Sequence, residues 1–112
     1  MMTPMTDEMM RSLIAQARDY SLVILHPGPK RHEPGADLVV WEHARRNLTM
    51  RAEGRLPIVC PVRDRSSVSG LYLFPGTPED TAAIMNADPG VMRGVFTYEV
   101  HPCRGFPGDA LP

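Results

Sequence analysis

Two residues far apart in the chain share one chemistry: His43, within "WEHARRNLTMRAEGRL", and Asp88, within "NADPGVMRG". A carboxylate that accepts a hydrogen bond from one imidazole nitrogen fixes the tautomer and makes the other nitrogen a better base. The pair therefore points to acid–base proton transfer. Asp88 also reads as a helix stop and restart, because Asp followed by Pro and a short "PGVMR" turn is a good N-cap signal. Both duties fit one carboxylate, which has several acceptor sites. His43 without a partner is a half-buried helix residue. His26 either joins the site or merely ends a strand. Lys30, Arg31 and His32 are either a solvated turn or a lid that attracts an anionic ligand. His26, Lys30 and Arg31 are thus the substrate-binding candidates. Arg45 and Arg46 read as an exposed helix face, and Cys60 as inert.

The elements that must position these residues follow from patterning. Thr6, then Asp7 and Glu8, opens a helix that Met9, Met10, Leu13, Ile14 and Ala17 carry to about Arg18. "YSLVILH", Tyr20 to His26, is a continuous apolar run and predicts a central strand buried on both faces. Asp37 caps a second helix running to Gly54, with Trp41, Ala44, Leu48 and Ala52 on one stripe. "LPIVCPV" reads as an edge strand because of its two prolines, and "GLYLF" as another strand. "TPED" opens a third helix ending near Asn86. "VFTYEVH" alternates as a strand.

From residue 20 this is strand, helix, strand, strand, helix, strand: a ferredoxin-like α+β sandwich with a four-stranded antiparallel sheet. Residues 1–19 form an N-terminal helical extension, 20–102 the α+β domain, and 103–112 an irregular tail. Two helices cover only one face of such a sheet. Leu22 and Ile24 on the other face then predict a homodimer through the sheet.

In this topology Asp88 lies on the upper rim of the sheet. His43, six residues past Asp37, sits about 9 Å below that rim, so the two can meet. His101 is expected roughly 20 Å from His26, too far for a shared metal ion. Cys60 and Cys103 fall on opposite edge strands, on the order of 14 Å apart, beyond disulfide reach.

Totals narrow the classes further. The chain has 112 residues with 12 Lys plus Arg against 13 Asp plus Glu, so a nucleic-acid or anionic-membrane partner is not expected. No apolar run approaches the ~18 residues of a membrane span, and the acidic, methionine-rich start does not read as a signal peptide. A cytoplasmic setting is expected.

"DPGVMRGVFTYEVHPCRGFPGDAL", together with "WEHARRNLTMRAEGRL", resembles the YCII-related domain family over about residues 20 to 111. The order of motifs carries the resemblance: a His in the first domain helix (His43), a Gly ending it (Gly54), and Asp-Pro before the last strand (Asp88 and Pro89). It implies a dimeric α+β barrel, a His–Asp pair in a pocket, and no metal or organic cofactor. Some such relatives are lyases acting on small cyclic compounds, for example by dehydrochlorination. The implied function is proton transfer, as isomerase or lyase, on a small cyclic, anionic compound. A non-catalytic dimeric metabolite-binding or structural protein is the alternative. One departure is Cys60 before Pro61, where the family usually has Gly; its side chain is expected to narrow or fill the pocket.

Overall fold

Thr6 opens helix α1 (Asp7–Ala15): its hydroxyl accepts from the Met9 amide at 3.2 Å, and Asp7 and Glu8 stand in the positive first turn. The computed structural model describes residues 1–112. Strand β1 (Arg18–Pro27) follows α1, then helix α2 (Ala36–Ala52) and strands β2 (Ile58–Pro61) and β3 (Gly70–Pro75). Helix α3 (Pro78–Asn86), the single turn α4 (Pro89–Met92) and strand β4 (Phe96–Gly105) complete the chain. Thr77 caps α3, accepting from the Asp80 amide at 3.1 Å, with Pro78 in the first turn, where a missing N–H is harmless.

The strands form one antiparallel sheet in the order β2-β3-β1-β4. This is the ferredoxin-like arrangement expected from the element order. β1 is central, and its side chains alternate: Ser21, Val23 and Leu25 are buried, while Leu22 and Ile24 are half-buried. Val23 and Leu25 join Tyr72 and Phe74 of β3, Phe96 of β4, Met50 of α2 and Met85 of α3 in the core. Each such side chain contributes roughly 1.5–3 kcal/mol by leaving water. The opposite face carries Leu22, Ile24, Leu71 and Leu73 with no helix over it; Leu71 is 37% exposed. No helix is long and apolar enough to cross a membrane.

Several boundaries differ from the sequence expectation. α1 ends at Ala15 rather than Arg18, because Arg18 and Asp19 already pair with Gly105 and Arg104. The same pairing draws Cys103, Arg104 and Gly105, expected in an irregular tail, into β4. Pro102 is tolerated there because β4 is an edge strand. Asp37 does not cap α2. Gly35 does, at φ 87°, a left-handed conformation that favours glycine, and Asp37 falls in the first turn. The stripe of Trp41, Ala44, Leu48 and Ala52 faces outward, with Trp41 65% exposed.

None of the residues of α1 is buried, and Met9, Met10, Leu13 and Ile14 are exposed. The core therefore does not depend on this helix. We expect deletion of residues 1–16 to preserve a single cooperative thermal transition, followed by circular dichroism, with its midpoint within a few degrees of the full chain. Loss of cooperative unfolding would make α1 part of the core.

Candidate active site

The inward face of α2 consists of Ala36, His43, Asn47 and Met50, spaced seven, four and three residues apart. That spacing puts them on one side of a helix with 3.6 residues per turn. Polar groups at two of these positions need partners, since an unpaired buried polar group costs about 1–3 kcal/mol. His43 is 5% exposed and its ring lies 4.6 Å from that of Phe96, centroid to centroid.

Asp88 supplies the first partner. The chain leaves α3 at Ala87, and the Asp88 amide still donates to Met85 O at 3.0 Å. Asp88 then adopts an extended conformation and caps α4, with Pro89 at the first helical position. Its Oδ2 accepts from the Gly90 amide at 2.9 Å and the Val91 amide at 3.2 Å. The same oxygen accepts from His43 Nδ1 at 2.8 Å. The expected meeting of His43 and Asp88 is present, and capping and pairing share one carboxylate oxygen.

Gly90 is required by this crowding. A Cβ there would stand 2.6 Å from Phe96 Cδ2 and 2.9 Å from Asp88 Oδ2. Behind it, the loop after β1 is laced to the segment before β4: Gly28 donates to Val95 O at 2.8 Å and Lys30 to Gly94 O at 2.9 Å.

With Nδ1–H committed to a carboxylate, neutral His43 has a lone pair at Nε2. The Tyr72 hydroxyl donates to it at 2.9 Å, and the Asn47 amide nitrogen lies 3.1 Å away. Burial holds the Tyr72 hydroxyl well above its ordinary range, opposed by a hydrogen bond from Asn47 and reinforced by the charge of Asp88. Tyr72 therefore remains a donor. For Asp88, burial pushes the carboxyl up. The hydrogen bond from His43 and the charge its ring carries when protonated, the Val91 amide and the Arg46 guanidinium together outweigh it, so the carboxyl ends below its usual 3.8. Arg46 Nη1 stands 3.7 Å from Asp88 Oδ1, and neither atom has a hydrogen bond. Arg46 thus acts as a nearby charge, not as the exposed helix residue expected. Asn47, four residues after His43, was marked in the sequence only by helical spacing, and Tyr72 only by strand alternation with Phe74.

His43, Asn47 and Tyr72 line a cavity of about 190 Å³ between α2 and the sheet, together with Ser69. The other candidates lie elsewhere. His26 turns to the opposite face of the sheet, where its Nδ1 donates to Ser67 O at 2.8 Å. Lys30 lines a separate depression with Gly35 and Arg93. Arg31 faces Asp37, with Nη1 3.4 Å from Oδ1. His101 is not remote from His26, because β4 runs past it: Glu99 Oε2 lies 3.8 Å from His26 Nε2 and 3.4 Å from His101 Nε2. These three flank one another without forming a set that could hold one metal ion. Cys60 pairs with Leu71 on the open face, so its side chain does not narrow the cavity; its neighbours Val59 and Pro61 line it.

Two outcomes follow. A depressed carboxyl contributes stability that is present above its unfolded value and lost as pH falls through its folded one. Asp88→Asn keeps a good cap but removes the charge, and we expect it to cost about 1.5–3 kcal/mol at neutral pH. In urea titrations the gap between parent and variant should close as pH falls below 3.8, the usual carboxyl value. A gap independent of pH would mean that Asp88 carries no stabilising charge. Gly90→Ala should cost about 1–3 kcal/mol through overpacking, with the largest NMR shifts at His43 and Phe96. A neutral substitution would show that the α4 turn yields easily.

Among known proteins, no family model matches the chain and no curated protein matches it. The chemistry of the site is the ground for a functional reading.

Proposed function

We propose that the chain is a small acid–base enzyme of the YCII-like type, in which His43 exchanges a proton with a compound held in the cavity and Asp88 orients the ring. The observation that carries this reading is the clamped imidazole: Nδ1 is held by Asp88 at 2.8 Å while Nε2 points toward Tyr72 at the wall of the cavity. His43 takes a proton from carbon beside an electron-withdrawing group, and the carboxylate stabilises the imidazolium that forms. Return of the proton to another carbon is an isomerisation. Departure of a leaving group such as chloride with the electron pair is an elimination. Tyr72, already on Nε2, either moves aside or passes the proton.

The reading includes a homodimer through the open face of the sheet. Leu22, Ile24, Leu71 and Leu73 support it, because together they leave an apolar patch without an intrachain cover. A binding protein without a reaction has one observation in its favour: Tyr72 and Asn47 already occupy the surroundings of Nε2.

Deuterium exchange separates the two. Incubated in D2O with a panel of small cyclic ketones and lactones, the parent should accelerate exchange of the carbon-bound protons beside the carbonyl. His43→Gln should reduce that acceleration by about 10²–10⁴-fold while keeping the circular dichroism spectrum. Equal rates for parent and variant across the panel would leave a binding protein.

A further inference from the structure

We infer that the His43 cavity takes a neutral, single-ring compound carrying one hydrogen-bonding oxygen, and discriminates against the corresponding carboxylate. The inference builds on the proposed role of this site and names the class of compound it holds. Size comes first. A 150 Å³ apolar cavity accommodates benzene, so about 190 Å³ holds one ring with a small substituent.

Charge comes next. Seven of the 11 lining residues are hydrophobic, among them Leu25, Val40, Val59 and Phe96, and the lining contains no Lys, Arg, Asp or Glu. His43 is the one group there that can become cationic, and Asp88 already balances it at Nδ1. A bound carboxylate would lose its hydration without gaining a counter-charge. The nearby cations are not in position to help. Lys30 and Arg93 line another depression, Arg31 faces Asp37, and Arg46 faces Asp88 from outside the cavity.

The polar groups cluster. Tyr72 gives its hydrogen to His43 Nε2 and is left an acceptor, while the Asn47 amide, with two donors and an oxygen, can still meet one carbonyl or hydroxyl oxygen; Ser69 is the other polar residue of the lining. The way in is apolar as well. Ala44 and Leu48 line both this cavity and the groove along the outer side of α2 that includes Trp41 and Ala52, and Leu48 is 57% exposed. The outward stripe of α2 thus leads to the cavity mouth, between α2 and the edge strand β2.

Cyclohexanone and cyclohexanecarboxylate, at about pH 7.5 where the acid is ionised, test the inference by ¹H–¹⁵N NMR titration of the full chain. Cyclohexanone should shift the Val40, Ala44, Leu48 and Val59 amides and saturate. The carboxylate should bind at least about tenfold more weakly. Ala44→Phe, which places a ring at the mouth, should abolish the response to cyclohexanone. If that variant does not fold, nuclear Overhauser contacts from cyclohexanone to the Leu48 and Val59 methyls in the parent decide the same point. Equal or tighter binding of the carboxylate, or a response confined to residues away from the cavity lining, would overturn the inference. The titration needs no turnover, so its failure is distinct from that of the acid–base reading. Binding here with no His43-dependent deuterium exchange would remove the reaction and leave the ligand class standing.

Discussion

The hydrogen bond from His43 Nδ1 to Asp88 Oδ2 joins the middle of α2 to the turn between α3 and β4, and much of the surrounding structure keeps it away from water. Asp88 is fully buried and carries charge. Breaking a buried pair by removing one member leaves an uncompensated charge, whereas the intact pair contributes little net stability once desolvation is counted. The requirement is therefore one of position. Gly90 lets Phe96 close over the carboxylate, two backbone amides hold it from below, and Arg46 adds positive potential from the side. Tyr72 reaches the same ring from the sheet. Asp88 at the start of α4, Tyr72 of β3 and Phe96 of β4 thus converge on one imidazole.

The parts legible in the sequence were those set by short-range chemistry. Thr6 and Thr77 announce their helices, Asp88 with Pro89 announces α4, and the alternation of Phe96, Tyr98 and Val100 announces β4. The His43–Asp88 meeting was accessible because the strand order brings both to one rim. What was hidden depended on competition between faces. In α2 the apolar stripe invites burial, yet the helix turns it outward because His43 and Asn47 face the polar groups of Asp88 and Tyr72. Sequence periodicity weighs apolar area and is silent on a polar network whose other half lies elsewhere in the chain. The reach of β4 to Gly105 was likewise set by its pairing with Arg18 and Asp19, not by its own composition.

The sheet separates two chemistries. On the helix side lie the cavity and the imidazole network. On the other lie Leu22, Ile24 and Leu71, with Glu99 between His26 and His101 along the β1–β4 edge. Strand alternation assigns each residue to one side, so Val59 and Pro61 line the cavity while Cys60 between them does not. A substitution at Cys60 acts first on the open face.

Asp88 has an evolutionary consequence as well as a structural one. The oxygen that meets His43 also caps α4, so selection for folding alone opposes loss of a side-chain oxygen at this position. An oxygen acceptor facing α2 is therefore kept at this position whatever the role of His43, and the cap would outlast the pair. The same linkage eases the reverse path. A buried cap with an acceptor already in place needs only a histidine on the facing helix to become the orienting half of an acid–base pair.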